Sequence, residues 1–277
     1  MTQKAPGKSF RKGLSLMEIV EMFPDESVAE EWFEKQRWGR KRMPSHCPKC
    51  GCSGRITRSD TRKTSPYWCA DCRSNFSVRT GTVMSHTRIP LHKWAIAMYL
   101  WATSLKSVSS MKLRRDLDIT RKSAWFMAHR LREAWTQTGG SDLAGPIEFD
   151  ETYIGGKERN KHADRKLRAG RGTVGKAIVA GAKDRDSNEV RAVVIPNTKR
   201  ETLHRFIAGN ARPHAVICTD DHAGYHDIDH PHEIVKRSVS QFVNGQAHTN
   251  GIESFWALLK RGYHGTFHHF SRWHLQR

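Results

Sequence analysis

Long hydrophobic runs are missing from this chain of 277 residues. None approaches the roughly 20 apolar residues that a membrane-spanning helix needs, so no such helix is expected. The opening segment, Met1 to Lys12, is polar and basic and lacks the apolar stretch of a secretory signal. With neither export nor anchoring signals, the chain is expected in the cytoplasm. Acidic residues are also scarce. Against 47 Lys and Arg there are 28 Asp and Glu, which leaves a formal net charge of +19. A charge of that size speaks to partners rather than to fold. Nucleic acid is the leading polyanion, because each phosphate neutralised releases counterions. An anionic membrane surface comes a distant second, since no basic amphipathic helix with a strong apolar face stands out. Cysteine is sparse, with six in all, and a secreted disulfide framework is improbable in an unexported chain. The apolar content of 37% is low but sufficient for packed cores.

Composition and periodicity divide what is present into four regions. Residues 1–44 hold a basic tail and an amphipathic helix from about Ser15 to Arg37, interrupted at Pro24-Asp25-Glu26-Ser27. Residues 45–80 carry the cysteines. Residues 88–136 are helical by pattern. Past the Gly139-Gly140-Ser141 linker, residues 145–277 alternate short β-branched runs with helices. Strands are expected at Ile147–Ile154, Val174–Ala182, Val190–Ile195, Ala215–Thr219 and His232–Lys236, with helices at Lys199–Ala208 and Asn250–Gly262. The fold class is therefore multidomain α+β, ending in a mixed α/β sheet with helices packed on it.

Four cysteines form two C-x-x-C knuckles, Cys47/Cys50 and Cys69/Cys72, with eighteen residues between them. That is the spacing of a zinc ribbon. Four thiolates leave no open coordination position, so the expected Zn2+ is structural. Cys52 is an alternative to Cys50 as a ligand, and Cys218 reads as core. Downstream, Ser107-Val108-Ser109-Ser110 opens a helix, Leu117-Asp118-Ile119-Thr120 forms a turn, and a last helix carries Arg121, Lys122, His129, Arg130 and Arg132. A helix-turn-helix would put this last helix in a DNA major groove, whereas an ordinary bundle would leave it a solvated basic face.

Three acids fall where strand and helix ends should converge: Asp150 in the first strand, Asp220 after the buried strand, and Glu253 in the first turn of the final helix. Such a trio suits Mg2+ in phosphodiester chemistry. Each also has a plain structural reading, as an exposed strand residue or a helix cap. Lys260 lies seven residues after Glu253, nearly two turns on, and so shares its helix face.

The stretches Asp150-Glu151-Thr152-Tyr153-Ile154-Gly155-Gly156-Lys157, Gly170-Arg171-Gly172-Thr173-Val174-Gly175-Lys176, Thr219-Asp220 and His248 to Gly262 resemble bacterial insertion-sequence transposases of the DDE superfamily, in the subgroup with an N-terminal zinc ribbon. The resemblance runs from about Leu14 to the end. It implies an RNase H-like catalytic domain in which Asp150, Asp220 and Glu253 bind magnesium or manganese, with Lys260 as the basic residue after the glutamate. Such transposases usually continue past the helix carrying Glu253, so the catalytic domain is expected to be short at its C-terminus. The expected activity is DNA hydrolysis and strand transfer at transposon ends, by a homo-oligomer on terminal inverted repeats and target DNA. The alternatives are a non-catalytic zinc-ribbon DNA-binding regulator or truncated relic, and a structure-specific nuclease. Basic residues from Lys157 to Arg171, together with Lys176, are expected to form a mobile loop that clamps phosphates.

Overall fold

A computed structural model describes residues 13–39, 43–62, 64–136, 142–167, 172–235 and 248–276. They form two compact units that divide at Trp135/Thr136, with Leu105–Ser107 grouped with the second. None of the described helices is long and apolar enough to cross a membrane.

The first unit starts with two helices, α1 (Leu16–Met22) and α2 (Glu26–Trp38). Their boundary follows local chemistry. Ser15 and Glu18 form a reciprocal capping box at α1. After Pro24, the Asp25 carboxylate accepts the Val28 amide at 3.0 Å and restarts the helix as α2. Gly39, at φ +73°, ends α2 in the left-handed conformation that glycine adopts without penalty. Three short strands, β1 (Ile56–Arg58), β2 (Tyr67–Cys69) and β3 (Ser74–Phe76), make an antiparallel sheet with β2 central. The helices α3 (Leu91–Thr103), α4 (Ser110–Leu117) and α5 (Arg121–Thr136) follow.

Segments that read as separate modules in the sequence share one continuous core here. Ile19, Phe33, Tyr67, Phe76, Trp94, Leu113 and Met127 all belong to it. Tyr67 stacks on Phe76 and meets Trp38 edge-on. Its hydroxyl donates to the buried Glu34 of α2 at 2.5 Å, so a polar clamp inside the core ties α2 to the sheet. Glu26 makes a second tie. Arg79 donates to it at 2.6 Å, and the Leu91 amide at the start of α3 donates to its other oxygen. No side-chain cap from the α3 N-cap residue, Pro90, is present, so a carboxylate distant in sequence supplies the acceptor that the first turn needs.

The second unit is a five-stranded sheet in the order β6-β5-β4-β7-β8. Its strands are β4 (Ile147–Ile154), β5 (Ala177–Asp184), β6 (Val190–Ile195), β7 (Ile217–Asp220) and β8 (His232–Val235). The first three pair antiparallel, while β7 and β8 run parallel to β4 and to each other. Helix α6 (Arg200–Ala208) covers one face, where Phe149, Leu203, Ile207 and Ile217 form a core. Helix α7 (Asn250–Gly262) covers the other through Ile252 and Trp256, packed with Ile154 and Val179. Both faces of β4 are thus covered, which makes it the spine of the unit. The β5–β6 turn is held by Asp184. Burial alone would raise its pKa, but the amides of Ser187, Gly145, Asp186 and Ala144 outweigh that and leave it lowered.

Candidate active site and metal centre

The four knuckle cysteines converge as their spacing implied. Their sulfurs all lie within 4.8 Å of one another. Cys47 and Cys72 are 3.8 Å apart, and Cys50 and Cys69 are 3.7 Å apart. A tetrahedron with metal–sulfur bonds of about 2.3 Å has edges of about 3.8 Å, so these thiols fit a zinc-sized, thiophilic ion. Cys52 lies 3.0 Å from Cys69 and groups with Cys69 and Asp71, apart from the four-thiol set. The first knuckle turns through Gly51 at φ +77°, with the Lys49 amide directed at the Cys47 sulfur. At the second, the Cys72 amide is the main cause that lowers the Cys69 thiol to about 6 and favours the thiolate.

The carboxylates stand at one end of the β4/β7 pair. The parallel ladder ends at Glu148↔Cys218, and Asp150 and Asp220 each follow two residues later, on the same offset. The buried phenol of Tyr225 registers both. Burial pushes its pKa well up, and the charges of Glu151, Asp150 and Asp220 act in the same direction. Its hydroxyl donates to Glu151 at 2.7 Å. Asp150 faces α7, where the Trp256 indole N–H donates to its Oδ2 at 3.0 Å. Glu253 lies one turn earlier on α7, exposed, with its Oε1 accepting the Thr249 hydroxyl at 3.1 Å. Lys260 is exposed two turns further along. Among the described residues, only cysteine-containing groups bring three ligand atoms within 4.8 Å, so Asp150, Asp220 and Glu253 are not gathered that closely.

Gly181 pairs with Asp150 across the sheet and lies under the indole. A Cβ there would sit 2.6 Å from Trp256 ring carbons and 3.0 Å from Ile252. Gly181→Ala should therefore lift α7 from the sheet and destabilise the unit by about 1–3 kcal/mol. Chemical denaturation followed by Trp fluorescence reads this directly, and an unchanged midpoint would contradict the packing.

The expected DNA contacts divide. Arg121 and Lys122 are exposed at the start of α5, and Lys157 is exposed in the loop after β4. Lys176 is half-buried against Gly155, and Arg171 lies outside the described residues. Arg130 is half-buried: its guanidinium donates to the carbonyls of Val83 at 3.0 Å and Ser85 at 2.8 Å and lies over the Phe126 ring. The loop after β4 is also more built than a free charged run. Glu158 accepts the Leu167 amide and pairs with Lys161 at 2.5 Å, which organises two short 3-10 turns.

Four participants escaped the sequence reading: Glu148, Gly181, Tyr225 and Glu151. The one signal for Glu148 was its place two residues before Asp150 in an alternating strand, hence on the same face.

Comparison with known proteins agrees with the motifs. A protein of the transposable element ISH50 from Halobacterium salinarum, described as uncharacterized, is 26% identical over 254 residues, covering 87% of this chain and 84% of its own. A chain from the cryoEM structure of a simian T-cell lymphotropic virus intasome in complex with the PP2A regulatory subunit B56 gamma matches at 16% identity. That match covers 60% of this chain and 63% of the other, and its TM-score of 0.28 is too low to bear on the fold. The ISXO2-like transposase domain matches residues 142–277, the segment that carries the whole carboxylate-bearing sheet, and together with the ISH50 relative this match supports an insertion-sequence transposase.

Proposed function

We propose that this chain is the DNA-cutting and DNA-joining transposase of an insertion sequence, with Asp150, Asp220 and Glu253 as its catalytic carboxylates. The observation that carries this reading is that Asp150 and Asp220 each lie two residues past the last β4/β7 pair, on strands that run parallel, with Trp256 of α7 bonded to Asp150 one turn from Glu253. The strand order, with three antiparallel strands followed by two parallel ones, supports the RNase H-like fold that the resemblance implies. Oxygen donors from three elements suit Mg2+ or Mn2+, which bind hard ligands and retain water. Asp150, Asp220 and Glu253 would hold these ions, whose chemistry is to activate a water or a 3′-OH and to stabilise the departing oxygen.

The chain's own residues do the positioning. Trp256 holds one Asp150 oxygen in place by its N–H. Lys260, on the Glu253 face of α7, and Lys157 and Lys176 are suited to the phosphates of a bound strand, and Arg121 and Lys122 to duplex DNA at the start of α5. Arg171 is assigned to the same phosphate-binding loop on sequence alone. Cys47, Cys50, Cys69 and Cys72 would hold a structural zinc. The protein is read as working in the cytoplasm as an oligomer, since two transposon ends must be held together.

The test is cleavage of labelled DNA bearing the element's own ends. With Mg2+, 3′ nicks and joined products are expected, and EDTA should remove both. Salt-sensitive binding without cleavage would favour a DNA-binding regulator, and hydrolysis without joining a nuclease.

A further inference from the structure

The helix that bears Glu253 lacks a cap of its own. Its N-cap residue, Thr249, makes no side-chain bond to the first-turn amides and turns its hydroxyl to Glu253 instead. The missing acceptor comes from the sheet. Glu148 on β4, only 1% exposed, accepts the Ile252 amide through Oε2 at 2.8 Å. Its other oxygen takes the Arg185 guanidinium at 2.8 Å and lies 3.2 Å from His248 Nδ1. Arg185 also donates to the His248 carbonyl at 2.5 Å and so ties down the chain entering α7. The approach is tight: a Cβ at Gly251 would sit 2.8 Å from the Glu148 oxygen and 2.9 Å from Lys183 Nζ. Only glycine lets the helix start come down onto the carboxylate.

A buried charge is costly unless it is paired and hydrogen-bonded, and a neutral amide side chain could fill the same space. What the carboxylate provides is negative charge at a helix N-terminus, where the amides and the dipole favour it. We infer that Glu148 is a positioning residue of the proposed active site, a cap supplied by β4 that sets where α7 presents Glu253. Glu148 and Asp150 point to the same face of one strand. That strand therefore places one catalytic acid directly and the other through the helix that it caps. The inference rests on the transposase reading for its purpose, but not for its geometry.

The experiment compares the full-length wild type with Glu148→Ala, Glu148→Gln and Glu253→Ala. Amide hydrogen exchange without DNA or metal is the first readout. In Glu148→Gln, which keeps an acceptor and the side-chain volume, exchange should rise in the first turn of α7 alone. In Glu148→Ala the rise at Ile252 should be at least about tenfold, the loss of a charge-assisted hydrogen bond. Glu253→Ala should leave that turn protected. The second readout is Mn2+ binding followed by the ion's paramagnetic signal. Affinity should fall in the order wild type, Glu148→Gln, Glu148→Ala. Wild-type exchange in α7 of both Glu148 variants would overturn the inference. So would a uniform rise across β4, β5 and β7 in Glu148→Gln, because Glu148 would then be an ordinary stabilising residue. Should the wild type fail to cut DNA, the proposed function falls while the exchange pattern still decides the role of Glu148.

Discussion

Asp150→Asn is expected to abolish strand cleavage and joining while leaving the protein folded and bound to DNA. Asparagine retains a carbonyl oxygen, so the Trp256 N–H keeps its acceptor and α7 stays seated. What disappears is one negative charge among Asp150, Glu151 and Asp220, all of which act on Tyr225. Removing one preorganised electrostatic group from a reacting centre costs about 10²–10³ in rate. Losing a charge required to hold a divalent ion should cost at least as much. The same change relieves repulsion between like charges, so the melting temperature should hold or rise, the exchange of stability for activity that built sites commonly show. Paired melting curves and cleavage assays measure both. Cleavage within a few-fold of wild type would remove Asp150 from the catalytic set. A large fall in melting temperature would show that its role is structural.

Loss of the metal from the cysteine cluster should unfold the first unit and spare the second. Structural zinc contributes about 10–16 kcal/mol of apparent binding energy, against a total stability of about 5–15 kcal/mol for an ordinary domain. Cys47 and Cys69 belong to the same core as Ile19, Trp94 and Met127, so the effect cannot stay confined to the three small strands. Cys69→Ser, or a strong chelator, should erase the near-ultraviolet signal of the buried Trp38 and Trp94. Exchange protection in β4 and β5 should persist. Cys52→Ser is the matched control and should behave as wild type, because Cys52 stands outside the group of four thiols. If Cys52→Ser releases the metal and Cys50→Ser does not, the ligand assignment is wrong.

Much of this molecule follows from local pattern. The bounds of β4, β6 and α7 coincide with the alternating run at Ile147–Ile154, the β-branched run at Val190–Ile195 and the apolar stripe of Asn250–Gly262. Each is governed by neighbours within a few residues. The strand expected from Val174 begins instead at Ala177, because Gly175 at φ +70° and a Thr173–Lys176 turn delay it. The interruption expected at Pro24-Asp25-Glu26-Ser27 divides the N-terminal helix in two, since Asp25 caps a fresh start after Pro24.

The sequence by itself determined the inventory: two cysteine knuckles at ribbon spacing, a strand with Asp150, a helix with Glu253 and Lys260, and the motifs that mark a transposase. These depend on spacing along the chain, and periodicity preserves spacing. Only the tertiary structure decided which groups meet. It gathered Cys47, Cys50, Cys69 and Cys72 into one group, bonded Arg130 to two backbone carbonyls, and laid Trp256 over Gly181 against Asp150. It also gave α3 and α7 their first-turn acceptors from Glu26 and Glu148, 65 and 104 residues away. The physical reason is the same in each case. A buried charge or an uncapped helix end must find a partner, and packing brings that partner from any distance along the chain.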